Sequence, residues 1–101
     1  MAVLAIFTGK GFTKAMYEAL RPEVKWETNL APGGLLHASA FDANGDIHVA
    51  DVWESEEQMN AFVGSRLIPG FQKLGVPMPE VNVYPVHNVN VYPDAARYML
   101  K

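Results

Sequence analysis

The stretch that decides the fold is residues 34–74, GLLHASAFDANGDIHVADVWESEEQMNAFVGSRLIPGFQKL. Two runs typical of β-strands, residues 35–42 and 46–53, flank the turn sequence Ala-Asn-Gly at positions 43–45. A helical pattern of apolar residues follows directly after the second run. The stretch therefore predicts a β-hairpin followed by an amphipathic helix.

Two turns fit the hairpin. A two-residue loop at Asn44-Gly45 would be a type I′ turn and would pair His37 with Val52. A three-residue loop with Gly45 in the left-handed region, as in a G1 bulge, would pair His37 with Asp51. The second register is preferred, because an aspartate within an apolar strand needs a polar partner.

The preferred register separates two faces of the hairpin. One face carries the larger and more polar side chains: Leu35, His37, Ser39, Phe41, Ile47, Val49, Asp51 and Trp53. The other face is mostly small and apolar: Leu36, Ala38, Ala40, His48, Ala50 and Val52. His48 is expected to be solvated, because it lies next to the turn on the face opposite His37.

The helix after the hairpin has clear start and stop signals. Ser55 and Gln58 form an S-x-x-Q capping box. An apolar stripe follows at helical spacing: Met59, Phe62, Val63 and Leu67. Because Pro69 disfavours helical geometry at Ile68, a break or kink is predicted there. Gly75 is expected to end the second helical piece.

The N-terminal third predicts one strand and one helix. Residues 2–8 are continuously apolar, which favours a central strand covered on both faces. Thr13 is expected to cap the following helix. Pro22 interrupts the helical pattern and is interpreted as the first residue of a further turn carrying Trp26 and Leu30.

The tail contains a short duplication. VNVYP occurs at residues 81–85 and again at residues 89–93. Both copies are predicted to be extended, and their prolines favour an edge position, where unpaired strand groups would suit association with a second subunit. Residues 95–101 are expected to be a short terminal helix or a frayed end.

The composition limits the class of protein. The chain has 101 residues, which predicts a single domain over residues 1–101. The formal net charge is −3 without a basic block, which argues against a nucleic-acid partner, and the absence of cysteine excludes disulfides and thiolate chemistry. The N-terminus lacks a basic region before its apolar run, and no apolar run reaches membrane-spanning length. A soluble cytoplasmic protein is expected.

The predicted element order is β-α-β-β-α-β. This is the ferredoxin-like arrangement of the α+β class, an antiparallel sheet with helices on one face. Its other face would be apolar and uncovered. Pairing with a second copy, sheet against sheet, would bury that face.

Four segments resemble a known family. GLLH at residues 34–37, VADVWES at 49–55, the region from Phe62 through RLIP at 66–69, and VHN at 86–88 are similar to antibiotic biosynthesis monooxygenase-like proteins, a group within the dimeric α/β barrel superfamily. The resemblance covers roughly residues 34–88, whereas RPEVKWETN at 21–29 departs from the pattern. It implies a homodimer with a cleft between sheet and helices in each subunit. Superfamily members include cofactor-independent oxygenases, haem-degrading enzymes, cyclases and isomerases.

His37 and Asp51 are the predicted catalytic pair. An aspartate bonded to one imidazole nitrogen fixes the tautomer and raises the basicity of the ring, as a general base requires. The alternative interpretation is a buried pair that only fixes the hairpin register.

Four further residues are predicted to bind substrate: Trp53, His87, Tyr84 and Arg66. Trp53 would stack on a planar ligand, although a core position is the alternative. Tyr17 is a plausible pocket group without specific support. The three histidines have no short ligand spacing and none lies on the second helix, so neither a metal nor haem is predicted, and no cofactor is expected.

These residues lead to two functional hypotheses. The first is an enzyme resembling cofactor-independent monooxygenases, in which His37 deprotonates an aromatic or polyketide-like molecule that then reacts with dioxygen. A cyclase or isomerase would use the same base without oxygen. The second is a non-catalytic dimeric module for ligand binding or stress response, in which the polar strand residues are structural.

Overall fold

A computed structural model describes residues 1–100. The elements follow in the order β1 Val3–Gly9, α1 Lys14–Val24, β2 Gly34–Phe41, β3 Ile47–Trp53, α2 Glu56–Phe62, α3 Ile68–Leu74 and β4 Glu80–Pro85. A π-helical turn, Val63–Leu67, joins α2 to α3, and a 3-10 helix, Pro93–Tyr98, follows β4. Within residues 1–100, no helix is long and apolar enough to cross a membrane.

The four strands form one antiparallel sheet in the order β2-β3-β1-β4, which confirms the ferredoxin-like α+β fold. Two buried clusters lie between this sheet and the helices. The first contains Phe12, Tyr17, Leu20, Val24, Ile47, Phe71 and Val76. The second contains Val3, Ala5, Phe7, Trp53 and Met59. The helices therefore cover one face of the sheet.

The opposite face of the sheet, here called the open face, is mostly apolar and, apart from the buried Val52, only partly buried; its polar residues are Thr8, His48, Glu80 and Asn82. It carries Leu4, Ile6, Leu36, Ala38, Ala40, Ala50, Val52 and Tyr84. Leu36 is 38% exposed and Tyr84 is 52% exposed.

The central position of β1 is as predicted, but its residues alternate between buried and half-buried. The expectation that β1 is covered on both faces is wrong for the single chain, because helices pack on one side only.

The hairpin uses the three-residue loop. The backbone N–H of Asp42 donates to the Asp46 carbonyl at 3.0 Å, and that of Gly45 donates to the Asp42 carbonyl at 2.9 Å. Gly45 has φ of 82°, a conformation that favours glycine. His37 consequently lies opposite Asp51, which confirms the preferred register.

One strand residue differs from the predicted faces. Gly34 pairs with Trp53 and Leu36 pairs with Val52, so Leu35 is an extra residue in a bulge. Leu35 is 51% exposed, and as the bulge residue it breaks the alternation that assigned it to the face of His37 and Asp51. The bulge brings the Gly34 backbone close to the indole ring of Trp53, where a Cβ at Gly34 would lie 3.6 Å from the ring.

Helix α1 continues through Pro22, so the predicted new turn at this proline is wrong. The Thr13 hydroxyl accepts the Met16 N–H, as expected for the N-cap. The helix ends at Lys25, a left-handed residue whose N–H donates to the Arg21 carbonyl. Pro22 lies in the last turn and removes only one backbone hydrogen bond, while the same turn buries Leu20 and Val24.

The loop after α1 contains the two residues assigned to that turn. Trp26 and Leu30 both lie outside any helix. Trp26 packs against the first buried cluster, whereas Leu30 is 76% exposed. A loop conformation allows Trp26 to reach back to the core without continuing the helical direction.

The second proline produces a widened turn instead of a break. Ile68 keeps right-handed helical angles, with φ of −59° and ψ of −47°, and donates its N–H to the Val63 carbonyl five residues earlier. This wider turn removes the carbonyl that the ring of Pro69 would otherwise meet. The predicted interruption therefore takes the form of a π turn that ends at Leu67, and the second helical piece begins at Ile68 as predicted, although Ile68 itself keeps helical angles. Gly75, at φ of 68°, ends α3 as predicted.

The two VNVYP copies have different structures. The first lies in β4, at the sheet edge, as predicted. The second belongs to no strand, so the prediction of two extended copies is confirmed only for the first. The 3-10 helix Pro93–Tyr98 follows, and Lys101 lies outside the described residues. Large apolar side chains are exposed along this tail: Val89, Val91, Tyr92, Tyr98, Met99 and Leu100.

We expect Gly70→Ala to destabilise the protein, with Gly64→Ala as the matched control. A Cβ at Gly70 would lie 2.8 Å from Cγ2 of Val24, whereas one at Gly64 meets nothing within 4 Å. Overpacking a core costs about 1–3 kcal/mol. Urea unfolding should give Gly70→Ala a lower free energy of unfolding than Gly64→Ala. Equal stability of the two variants would contradict close packing of α1 on α3.

Candidate active site

The predicted pair of His37 and Asp51 is formed. These residues lie opposite each other on β2 and β3, on the helix-covered side of the sheet. His37 Nδ1 and Asp51 Oδ1 are 2.6 Å apart. The Asp51 side chain is 12% exposed and the His37 side chain is 37% exposed. The imidazole therefore joins a buried carboxylate to the edge of the sheet.

Trp53 supports Asp51 from the core. The indole N–H of Trp53 donates to Asp51 Oδ2 at 3.3 Å. Each carboxylate oxygen thus has a partner, which stabilises the charge away from water. The ring of Trp53 packs on Phe62 with centroids 5.4 Å apart, and the residue is only 4% exposed. This position makes Trp53 a support for Asp51, with its ring faces taken up by the core.

Tyr17 completes a chain of hydrogen bonds. Its hydroxyl lies 2.8 Å from His37 Nε2, the ring nitrogen that Asp51 does not contact. Because a carboxylate only accepts, His37 Nδ1 carries the proton shared with Asp51. In the neutral imidazole, Nε2 then accepts the hydrogen bond that the Tyr17 hydroxyl donates. Tyr17, His37, Asp51 and Trp53 form a continuous relay across α1, β2 and β3.

Aromatic packing fixes the Tyr17 ring. Trp26 lies 5.3 Å from it and Phe41 lies 6.0 Å from it, centroid to centroid. Burial raises the pKa of the Tyr17 phenol above its ordinary value of 10.0, and a hydrogen bond with the Ser39 side chain opposes this shift. Tyr17 is therefore neutral at physiological pH and able to donate.

Two arginines hold the loop that carries Trp26. Arg21 donates from Nε and Nη2 to both carboxylate oxygens of Glu27, at 2.8 and 3.0 Å. Arg66 donates from Nη2 to the Val24 and Asn29 carbonyls, each at 2.7 Å. The loop is thus held to α1 through Glu27 and to the π-helical turn through Asn29.

Arg66, predicted to bind substrate, is committed to these backbone contacts. Its guanidinium also lies 5.0 Å from the centroid of the Phe62 ring. One of the carbonyls it binds, that of Val24, belongs to the last residue of α1, where a cation is favoured by the helix dipole. Arg66 therefore connects the π-helical turn to the end of α1 and to the loop that carries Trp26.

The structure does not bring the other predicted binding residues to His37. Tyr84 pairs with Leu4 and lies on the open face, on the far side of the sheet from the relay. His87 follows the end of β4 and is exposed. His48 is exposed on the open-face side, as predicted, and lies 2.8 Å from Asp42. Within residues 1–100, no three His, Asp or Glu side chains are grouped as metal ligands would be.

Two open surface depressions lie away from His37. One, of about 350 Å³, is lined by residues of α1 and its following loop, including Arg21 and Glu27. The other, of about 420 Å³, lies between the end of α1 and α3, and includes Arg66 and Lys73. The relay instead meets solvent at the edge strand β2, where His37 and Ser39 are both exposed.

The sequence analysis gave no role to two neighbours of His37, Trp26 and Ser39, and named Tyr17 only as a plausible pocket group. Ser39 had a usable signal, because it is two residues from His37 and so shares its strand face. Tyr17 and Trp26 had none, since their distance from β2 depends on how α1 and its loop pack on the sheet.

Comparison with solved structures identifies the fold. SnoaB, a cofactor-independent oxygenase from Streptomyces nogalater, has a TM-score of 0.63 and 11% identity, covering 87% of this chain and 94% of its own. A Chloroflexus aurantiacus protein provisionally assigned as an antibiotic biosynthesis monooxygenase has a TM-score of 0.63 and 18% identity, covering 91% and 100%. Rv0793 from Mycobacterium tuberculosis has a TM-score of 0.60 and 18% identity, covering 88% and 97%.

These similarities confirm the resemblance at the level of the fold. The chain shares the architecture of antibiotic biosynthesis monooxygenase proteins over most of its length. No protein-family model and no curated protein sequence matches the chain. The chemistry must therefore be argued from its own side chains.

We expect the stability gained from the Tyr17 hydroxyl to decrease at alkaline pH. The folded-state pKa of Tyr17 is raised, so its contribution is full below the ordinary value of 10.0 and is lost as the pH rises through the folded pKa. Urea unfolding of the wild type and Tyr17→Phe between neutral and alkaline pH should show the difference in unfolding free energy shrinking above pH 10. A pH-independent difference would contradict a buried Tyr17 phenol.

Proposed function

We propose that this protein is a cofactor-independent oxygenase acting on a small hydroxyaromatic or polyketide-like molecule. The observation that carries the proposal is the bond between His37 Nδ1 and the buried Asp51 carboxylate. A fold shared with SnoaB makes oxygenase chemistry the favoured use of such a pair.

The proposed reaction begins with proton removal. His37 takes up a proton from the substrate, and Asp51 stabilises the imidazolium that forms. The substrate anion then reduces dioxygen. One oxygen atom enters the substrate as a carbonyl oxygen, and the other leaves as water with the two hydrogens that the carbon loses. The aromatic side chains around Tyr17 provide the low-polarity surroundings in which an anion reacts readily with oxygen.

Replacing His37 by Gln should abolish most turnover, with His48→Gln as the matched control. We expect kcat to fall by about 10²- to 10⁴-fold in His37→Gln, the usual contribution of a general base. His48 is exposed on the other side of the sheet, so its replacement should leave the rate unchanged. Oxygen uptake with a panel of hydroquinones and anthrones would measure both variants.

Two outcomes would contradict the proposal. Oxygen uptake that persists in His37→Gln would remove His37 as the base. Turnover of the same compounds without oxygen would instead favour a cyclase or isomerase that uses the same base.

A non-catalytic binding module is the second candidate function. Both nitrogens of His37 are already bonded within the chain, and the two surface depressions described above lie elsewhere. A binding module would hold an aromatic ligand without turnover, and His37→Gln would leave its affinity unchanged.

We further propose that the protein functions as a homodimer through its open face. Leu36, Ile6 and Tyr84 leave apolar surface on that side, and three alanines on β2 and β3 keep that part of the face flat enough for close approach. A second copy of the same face is a suitable occupant, because a two-fold axis matches small residues with small residues.

A charge in the open face should prevent this association. We expect wild type to be a dimer by size-exclusion chromatography with light scattering and Ala38→Glu to be a monomer, because an unpaired carboxylate is costly to bury. Ala43→Glu in the hairpin turn is the matched control and should remain a dimer. A monomeric wild type, or a dimeric Ala38→Glu, would contradict the proposed interface.

A further inference from the structure

The relay leaves His37 without a free ring nitrogen. Nδ1 is bonded to Asp51 and Nε2 is bonded to the Tyr17 hydroxyl. A proton from a ligand can therefore reach Nε2 directly only if Tyr17 moves away. Tyr17 is 7% exposed, and its ring lies between Trp26 and Phe41 in the first buried cluster. Such a movement would open the core.

We propose that Tyr17 is the catalytic residue that exchanges a proton with the ligand and passes it on to His37. This inference rests on the proposed function, because it assigns the route by which the base of that reaction is reached. In this route Tyr17 exchanges the proton with the ligand, and His37 is the base that finally holds it.

The transfer conserves protons and charge. The O–H bond of a hydroxyaromatic ligand breaks, and its proton moves to the Tyr17 oxygen. The original phenolic proton of Tyr17 moves to His37 Nε2 along the existing 2.8 Å hydrogen bond. The products are a ligand anion, a neutral Tyr17 and an imidazolium next to the Asp51 carboxylate. No other reactant is needed.

The surroundings of the Tyr17 oxygen support this route. Ser39 is an exposed residue of the edge strand, two residues from His37 and therefore on the same strand face. The Tyr17 oxygen, bonded to His37 Nε2, thus meets a face of β2 that also carries an exposed hydroxyl. A hydroxyl ligand at Ser39 could bond to the Tyr17 oxygen without displacing the ring.

The ligand class follows from the same contacts. The relay transfers one proton from an oxygen, so it requires a weakly acidic hydroxyl. Trp26 packs beside both Tyr17 and His37, with centroids 5.3 and 5.9 Å away, and provides an aromatic border. A phenol meets both requirements.

4-Nitrophenol is a suitable probe, because its anion absorbs visible light and its neutral form does not. The probe is added to wild type, Tyr17→Phe, His37→Gln and Tyr92→Phe at a pH below its free pKa. We expect bound probe to be ionised in the wild type, with loss of the anion band in Tyr17→Phe and His37→Gln. Tyr92 is 70% exposed and outside the relay, so Tyr92→Phe should behave as the wild type.

The outcomes separate the relay from the proposed function. If Tyr17→Phe ionises the probe as well as the wild type while His37→Gln does not, Tyr17 is not the transferring group, although His37 remains the base. If the wild type does not bind the probe, or binds it without ionising it, both proposals fail.

A second measurement does not depend on the fold of any variant. The ¹⁵N signals of the His37 ring in the wild type report the protonation of each nitrogen. Addition of 4-nitrophenol should shift Nε2 to its protonated position in proportion to the anion band. An ionised probe with an unchanged Nε2 signal would overturn the relay.

Discussion

A carboxylate within a sheet is stable only when its oxygens have hydrogen-bond donors. Asp51 meets this condition through His37 on the neighbouring strand and Trp53 on its own strand. The three-residue turn sets the register that places His37 opposite Asp51, and the Asp42 carboxylate holds that turn by accepting the N–H groups of Asn44 and Asp46. The pair of His37 and Asp51 and the hairpin therefore depend on the same strand register, since a slip of one residue would leave Asp51 without the imidazole.

The helical layer turns this pair into a relay. Helix α1 places Tyr17 over β2, so that its hydroxyl occupies the second nitrogen of His37. Arg66 and the pair of Arg21 with Glu27 anchor the loop after α1, which keeps Trp26 against Tyr17. Arg21, Glu27 and Arg66 are charged, and each of them bonds to another group of the protein. Charged residues here position the aromatic groups around His37.

The distribution of apolar side chains is unequal across the sheet. Large residues from α1, α2 and α3 fill the helix-covered side, whereas alanines and half-exposed aliphatic residues remain on the open face. The tail after β4 adds a further series of exposed apolar residues. Exposed apolar surface is therefore concentrated in two places, the open face and the tail.

The sequence by itself determined the features that depend on near neighbours along the chain. Caps at Thr13 and Ser55, the stop at Gly75 and the element order follow from local spacing, and the need of Asp51 for a partner favoured the observed one of two hairpin registers. The local rule failed at Pro22, where packing of α1 outweighed the usual effect of proline on a helix. At Pro69 it located the boundary between two helical pieces but not its form, which is a widened turn.

Tertiary structure alone decided which side chains from outside the hairpin meet His37. Tyr17 and Trp26 reach it because α1 and its loop pack over β2, which no short-range pattern reports. The same packing occupies Arg66 with backbone carbonyls and places Tyr84 on the other side of the sheet. A strand fixes the faces of its own residues through their alternation, but contacts between elements far apart in sequence depend on the balance of packing over the whole core.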